Sequence, residues 1–550
     1  MVVLRRLLVG LALLIAGVFA AAPQYSVGPI SAVDAVVDSI APQAQALTPS
    51  QRIILKRGIS PVASWSAATD PFPSTILTHS RTSNATMFDS TGKLTYAPNN
   101  WLLYSNTFTN AAWSNTTMTI TNVNAVADPF GGTNATTLAA AGATSFIQQF
   151  TARDAATGLN TLWMRRRTGT GQISLIKPDG SNDYVTLTGT WQKVTSTSAQ
   201  GATYFYFGVQ IDTAGDAIDV YYGTSSKVTY ETSPRAADQV ITTAAAYYGP
   251  RIDYDPNTLV VKGLLIEEAR TNLLVNSKSD GTNLATQNVT VTAQPYTLTF
   301  YGTGSVTLSG ASTSGPLSGS GAFPTRSTLT FTPSAGTLTL TVAGTVQYAQ
   351  LEAGSFATSY IPTGASSVTR AADVVQFTGA ALTALQGSAG AVIVQSKGFG
   401  LSWSRARIIS TTSDSPLNVV LDGTSVTVDT YNAAIQILNS GSSVDPTLTA
   451  RYGVTWSASG RSIAANGGVV GTDANQMHGG LTTQAWLGSQ VGSSAWASGW
   501  YQSFAIYNQR LPDATLQAKS VVGASYAAND NGVRFAFAND NVPTFWRLAL

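Results

Sequence analysis

Cysteine is absent from the 550 residues. Disulfides, thiolate nucleophiles and cysteine-ligated zinc are therefore excluded. Histidine is nearly absent, with only His79 and His478, so triads and histidine-based metal centres have few parts to draw on. Charge is scarce as well. Charged residues make up 11% of the chain, against roughly 25% in ordinary globular proteins. The net charge of +2 leaves no electrostatic footprint for nucleic acid. The basic triplet Arg165-Arg166-Arg167 reads as a solvated strand end. No glycine-rich phosphate loop joins a strand to a helix in the pattern, and sustained helical periodicity is nearly missing.

What fills the gap is Thr, Ser, Ala, Gly and Asn around a 44% hydrophobic complement. That is enough apolar material to fold, with a surface that is hydroxyl-rich rather than ionic. The length points to three or four domains. From about residue 75 onward the chain reads as strands. Tyr204-Phe205-Tyr206-Phe207-Gly208-Val209-Gln210-Ile211 is aromatic and β-branched between Gly201 and Asp212. Thr alternates with apolar residues in Ser327–Thr332 and Thr337–Val342, around the turn Ser334-Ala335-Gly336. Such period-two patterns put one face in a core and the other in solvent. The expected class is all-β, as tandem sandwiches of the jelly-roll kind.

The ends read differently. Arg5-Arg6 precede an apolar run from Leu7 to Ala22, shorter than the roughly 20 residues of a spanning helix. It fits a cleaved secretory signal or an apolar plug buried in an oligomer or in a socket of a larger assembly. Pro49–Gly58 predicts a short helix, with Ser50 as its cap and Gly58 as its stop. The apolar tail, with Arg534–Ala538 and Phe545–Leu548, is expected to pack on a partner subunit or fold back. The chain also echoes itself. Trp101-Leu102-Leu103-Tyr104-Ser105-Asn106 resembles Thr271-Asn272-Leu273-Leu274-Val275-Asn276-Ser277, and Arg-Ala-Ala-Asp recurs at 235–238 and 370–373. A repeat of this size means two related domains rather than a solenoid.

Several strings follow one another along the chain: Ser80-Arg81-Thr82-Ser83 through Asp89-Ser90-Thr91-Gly92-Lys93, Arg251-Ile252-Asp253-Tyr254, Leu265-Ile266-Glu267-Glu268-Ala269-Arg270-Thr271-Asn272, and Ser359-Tyr360-Ile361-Pro362 leading to Arg370-Ala371-Ala372-Asp373. Over about residues 75–380 they resemble a family of bacteriophage fibre and appendage proteins with carbohydrate-binding-module-like jelly rolls. Here the first jelly roll is inserted between the Asp-Ser-Thr-Gly-Lys and Arg-Ile-Asp-Tyr segments. Further on, Arg451–Trp456, Asn466-Gly467-Gly468 and Gly499–Leu511 resemble a laminin-G or concanavalin-like lectin sandwich. The expected division is an apolar segment 1–22, a docking arm 23–74, jelly rolls 75–245 and 246–373, the concanavalin-like sandwich 374–525 and a tail 526–550.

The resemblance implies a virion-surface protein without enzymatic activity. It would bind host-surface polysaccharide, dock on other virion proteins through its N-terminal arm and form a homo-oligomer, trimers being common among such fibres, with no nucleic-acid partner. A decoration or connector protein and a secreted bacterial or prophage-derived lectin are the competing readings. Sugars stack on exposed rings, so Trp486, Trp496, Trp500 and Tyr501 are the candidate glycan contacts. Trp500 and Phe504 equally suit core or edge packing, whereas Trp496, among small residues, reads as a loop. Glu267 and Glu268 cannot face one substrate from adjacent strand positions, although a glycosidase needs carboxylates roughly 5–9.5 Å apart. They read as salt-bridge partners. Asp253 and Asp255 could hold calcium, but a turn before Pro256 is the simpler reading. No cofactor and no metal site is expected.

Overall fold

The computed structural model describes residues 53–56, 60–68, 72–152, 156–200, 204–227, 241–277, 283–398, 405–411, 418–422, 424–432, 434–445, 447–475, 483–490, 492, 494–524, 534–537 and 545–547. The apolar segment 1–22, most of the arm, the first Arg-Ala-Ala-Asp and His478 lie outside them. The chain forms two compact units, residues 1–60 with 527–550 and residues 61–526. It is an all-β protein, and among the described residues its helices are short.

In the first unit Ile53–Lys56 pairs antiparallel with Arg534–Phe537, which pairs in turn with Phe545–Arg547. The helix expected over 49–58 is therefore a strand at its described residues. Ile53-Ile54-Leu55 suits a pleated sheet, and the partner that selects it lies at the far end of the chain. The tail folds back, as one of its two expected fates.

The largest element of the second unit is a sandwich. One sheet has eight strands. Its centre is Gly499–Tyr507 beside Gly390–Gly398, followed by Thr449–Ser457 and Gly460–Ala465. On the other side, Val261–Ile266 pairs with the first half of Gly499–Tyr507 and Ala63–Ser66 with the second half. The facing seven-stranded sheet runs from Leu77–Ser80 through Val374–Phe377, Ala485–Leu487 and Arg405–Thr411 to three further strands. Trp65, Phe377, Phe504, Trp456 and Ile408 fill the space between. Each such side chain contributes about 1.5–3 kcal/mol by leaving water. Helix Asp513–Lys519 covers part of the first sheet through Leu516. It can do so because Gly453 lacks the Cβ that would stand 2.8 Å from that leucine.

This sandwich is not confined to 374–525. Strands at 63–66, expected in the arm, at 77–80, expected in the first module, and at 252–266, expected in the second, are hydrogen-bonded into it. Pairing between distant segments leaves no trace in local periodicity, so the boundaries read from pattern and resemblance fall inside the sandwich.

The two modules emerge from it as insertions. The first stacks two five-stranded sheets, one centred on Tyr204–Ile211 and Ser145–Ala152, the other on Ala156–Thr168 and Ala217–Lys227. Ile147, Phe207, Val209, Leu162 and Val220 form its core. The second module stacks a four-stranded sheet on a three-stranded one, with Leu298, Phe300, Leu308, Leu338 and Leu351 inside. Each module hangs on a two-stranded antiparallel neck: Asn99–Asn100 with Tyr247–Tyr248, and Arg270–Asn272 with Val368–Arg370.

The sequence echo becomes a shared lock at these necks. Asn100 Nδ2 donates to the Gly223 carbonyl at 3.1 Å, and its Oδ1 accepts from the amides of Leu102 and Ser225 at 3.2 and 3.1 Å. Asn272 donates to the Ala349 carbonyl at 3.0 Å and accepts from Leu274 and Leu351 at 3.2 and 3.1 Å. Gln149 bonds both the amide and the carbonyl of Leu103, and Gln287 does the same to Val275. One residue further on, Tyr104 and Asn276 both adopt the left-handed backbone, at φ 47 and 50°.

Candidate functional site

The strings that carry the family resemblance converge on one buried ionic cluster. Asp373 accepts from Arg81 Nη1 at 2.6 Å and from His79 Nε2 at 3.1 Å, and it pairs closely with Arg251 Nη2. Glu267 takes the other side of Arg251 at 2.7 Å and meets Arg370 at 3.4 Å. Ser359 donates its amide and hydroxyl to Glu267 at 2.7 and 2.6 Å. All five charged side chains are essentially inaccessible. Burial alone would raise the Asp373 carboxyl, but Arg251 and then Arg81 hold it well below the usual carboxylate range. Burial likewise works against ionised Glu267, and Arg370 and Arg251 outweigh it to lower its pKa. Burial also lowers the His79 imidazole. Arg81 falls, chiefly by burial, to about 10, still charged at neutral pH.

Glu268 turns away to pair with Arg270. The two adjacent glutamates are thus salt-bridge partners on different cations. Asp255 caps the turn after it by accepting from the amides of Asn257 and Thr258 at 3.0 and 2.9 Å. Asp253 is buried, accepts from the Phe88 amide at 2.7 Å and the Trp500 indole at 2.8 Å, and pairs with Lys262 at 3.3 Å. Arg165 and Arg167 both reach Asp219, and Arg166 reaches Asp216, so the basic triplet is partly neutralised.

Three of the four aromatic candidates offer no ring to a sugar. Trp486 is 3% exposed, Trp496 5% and Tyr501 2%. Trp486 sits mid-sheet between Val374–Phe377 and Arg405–Thr411. Trp496, read as a loop residue, bridges to Arg407, and its small neighbours Ala495 and Ala497 are buried with it. Small residues here serve close packing rather than a mobile tip. Strand alternation turns Tyr501 inward, where its hydroxyl donates to the Ala497 carbonyl at 2.9 Å. Only Trp500 is partly exposed, and Lys262 Nζ stands 3.5 Å from its ring centre.

Exposed rings gather instead on the first module. Phe150 is 56% exposed, Tyr184 53% and Tyr204 45%, all on the outer face of the sheet built on Tyr204–Ile211. Phe150 stands opposite Tyr206 in register, with ring centres 6.1 Å apart, and 6.0 Å from Tyr204. Gln148 and Gln210 lie further along the same face, around Gly208, which presents no side chain. The result is a platform of uncharged rings and amides, bordered by Asp212, which accepts from Gln210 Nε2 at 2.6 Å. The signal lay in Tyr204-Phe205-Tyr206-Phe207: alternation sends the phenylalanines into the core and the tyrosines, with their polar tips, to water. A cleft of about 270 Å³ also opens near the ionic cluster, between Tyr96, Tyr248, Tyr360 and Lys227. It falls below the roughly 300–1,000 Å³ of ligand pockets.

No family model matches the chain, and no curated protein matches it. Among solved structures it is similar to the Ruminococcus gnavus IT-sialidase CBM40 bound to alpha2,3 sialyllactose, at 13% identity over 26% of this chain and 86% of that one, with a TM-score of 0.23. It is also similar to domain 4 of AbnA, an extracellular arabinanase from Geobacillus stearothermophilus, in complex with arabinotriose, at 12% identity over 27% and 73% with a TM-score of 0.24. A third is TmCBM61 in complex with beta-1,4-galactotriose, at 15% identity over 23% and 98% with a TM-score of 0.20.

Proposed function

We propose that this chain is a non-enzymatic surface protein of a bacteriophage particle. It attaches to host-surface glycans through the outer aromatic face of its first module. The observation that carries the reading is the exposed rings of Phe150 and Tyr204, with half-buried Tyr206 against Phe150, beside uncharged amides. Rings left in water at such cost suit the apolar faces of sugars, and the amides suit their hydroxyls. The resemblance of the segment strings to phage fibre proteins supports the virion setting. Presented as an oligomer, many weak sites would gain an avidity of about 10²–10⁴ over one.

The test is binding of the full chain to a glycan array and to intact host cells, beside a Phe150→Ala/Tyr204→Ala variant. Both rings are surface groups, so folding stability should move by less than about 0.5 kcal/mol each. Glycan binding should weaken about fivefold or more, since two lost aromatic contacts at about 0.5–1.5 kcal/mol apiece sum to at least about 1 kcal/mol. Retained binding in the variant would remove this face from the reading. Absence of glycan and cell binding, with the protein still on the particle, would favour the connector role.

A further inference from the structure

The opposite face of the same module carries a different chemistry. On the outer side of the sheet built on Ala156–Thr168, Trp163 stands in register between Lys193 and Tyr221. Phe130, 61% exposed at a turn, leans over both rings with centres 5.4 Å from Trp163 and 6.1 Å from Tyr221. That turn is held by Asp128, whose carboxylate accepts from the amides of Phe130 and Gly132 at 2.9 and 3.0 Å. The Trp163 indole nitrogen is buried without a hydrogen-bond partner. One step along the strand, Arg165 stacks over Trp191 at 4.9 Å.

Charge is what separates this face from the first. The Asp219 side chain is 2% exposed, whereas those of its partners Arg165 and Arg167 are 26% and 43% exposed. Asp128 is buried too, and Lys193 is exposed. Asp219 is thus taken up by Arg165 and Arg167 and Asp128 by the amides of its own turn, and the charged side chains that reach solvent furthest are Arg167 and Lys193. Guanidinium groups fixed by a buried carboxylate are preorganised for a second, planar anion.

We propose that this face is a second saccharide site, selective for a sugar residue bearing a carboxylate. Phe130, Trp163 and Tyr221 would take the sugar ring, and Arg165, Arg167 and Lys193 its anionic group. The inference rests on the reading of the module as a saccharide binder, but on other residues than those of the uncharged platform.

The experiment measures binding of the full chain to oligosaccharides containing galacturonate, glucuronate or sialic acid, to their methyl esters, and to neutral glycans. Wild-type protein should prefer at least one free acid to its ester by about tenfold or more, a difference of ~1.4 kcal/mol. Arg167→Gln/Lys193→Gln should abolish that preference and keep neutral binding, and Phe130→Ala should weaken the acid alone. Phe150→Ala/Tyr204→Ala should do the reverse. Equal binding of acid and ester, or an unchanged preference in Arg167→Gln/Lys193→Gln, would overturn the second site. Neutral binding without acid binding defeats this inference only. Loss of both classes in wild-type protein defeats the saccharide reading itself.

Discussion

Asp373 takes charge from Arg81 and Arg251 and a hydrogen bond from His79, while its own backbone amide donates to the Glu267 carbonyl at 2.9 Å. Removing its charge would leave three buried guanidinium groups facing Glu267 as the remaining carboxylate of the cluster. Breaking a buried ion pair from one side costs about 3–5 kcal/mol, so Asp373→Asn should lower unfolding free energy by that order in urea titrations. The pH dependence has a definite sign. The folded carboxyls of Asp373 and Glu267 lie below their unfolded values. Their contribution is therefore present above about pH 4 and is lost as pH falls through the unfolded and then the folded values. His79 is also lowered, so its neutral form opposes protonation, and stability begins to erode as pH drops below about 6.5. Urea midpoints at pH 7, 5.5 and 4 should fall in that order, and the acid limb should flatten in Asp373→Asn. A pH-independent midpoint would show that the cluster is not ionised as described.

At the scale of elements, the necks decide how the modules are held. Asn272 satisfies Ala349, Leu274, Leu351 and also the Ile361 carbonyl at 2.8 Å. Asn272→Ala strands these backbone groups in a dry site, where each costs about 1–3 kcal/mol. Limited proteolysis should then cut at the neck of the second module at least tenfold faster, and Asn100→Ala should do the same at the first. Rates unchanged from wild type would show that the sheets hold the necks without the asparagines. Local signals foretold much at this scale. Tyr204–Ile211 is a strand over the whole predicted span, Thr337–Val342 lies within Gly336–Ala343, and Ser327–Thr332 runs one residue past the end of Gly321–Phe331. The echo around Leu102 and Leu274 marked both necks. What stayed hidden needs a distant partner. Neither the partner that selects the Ile53–Lys56 strand nor the burial of Trp496 has a signal in its own neighbours. For the same reason the platform was legible in its tyrosines, while its partner Phe150 was not.

At the scale of the molecule, nesting makes the sandwich depend on chain that a linear division assigns elsewhere. Residues 374–525 lack Leu264 and Ile266, which belong to its core, as well as Trp65 and Leu77. A fragment cut at those limits would expose an unpaired flank of Gly499–Tyr507 and lose four buried apolar side chains worth about 1.5–3 kcal/mol each. That loss, about 6–12 kcal/mol, is comparable to the whole 5–15 kcal/mol stability of an ordinary domain. The modules, by contrast, return the chain to the sandwich at paired necks, so excision there leaves the core strands in place. Two proteins separate the views. Residues 374–525 alone should show no cooperative unfolding in calorimetry or urea. The full chain with residues 102–246 replaced by a short turn should unfold cooperatively and keep the near-ultraviolet circular dichroism of the packed tryptophans. A fragment 374–525 that folds by itself would mean that the strands at 63–66, 77–80 and 252–266 decorate a finished domain instead of completing it.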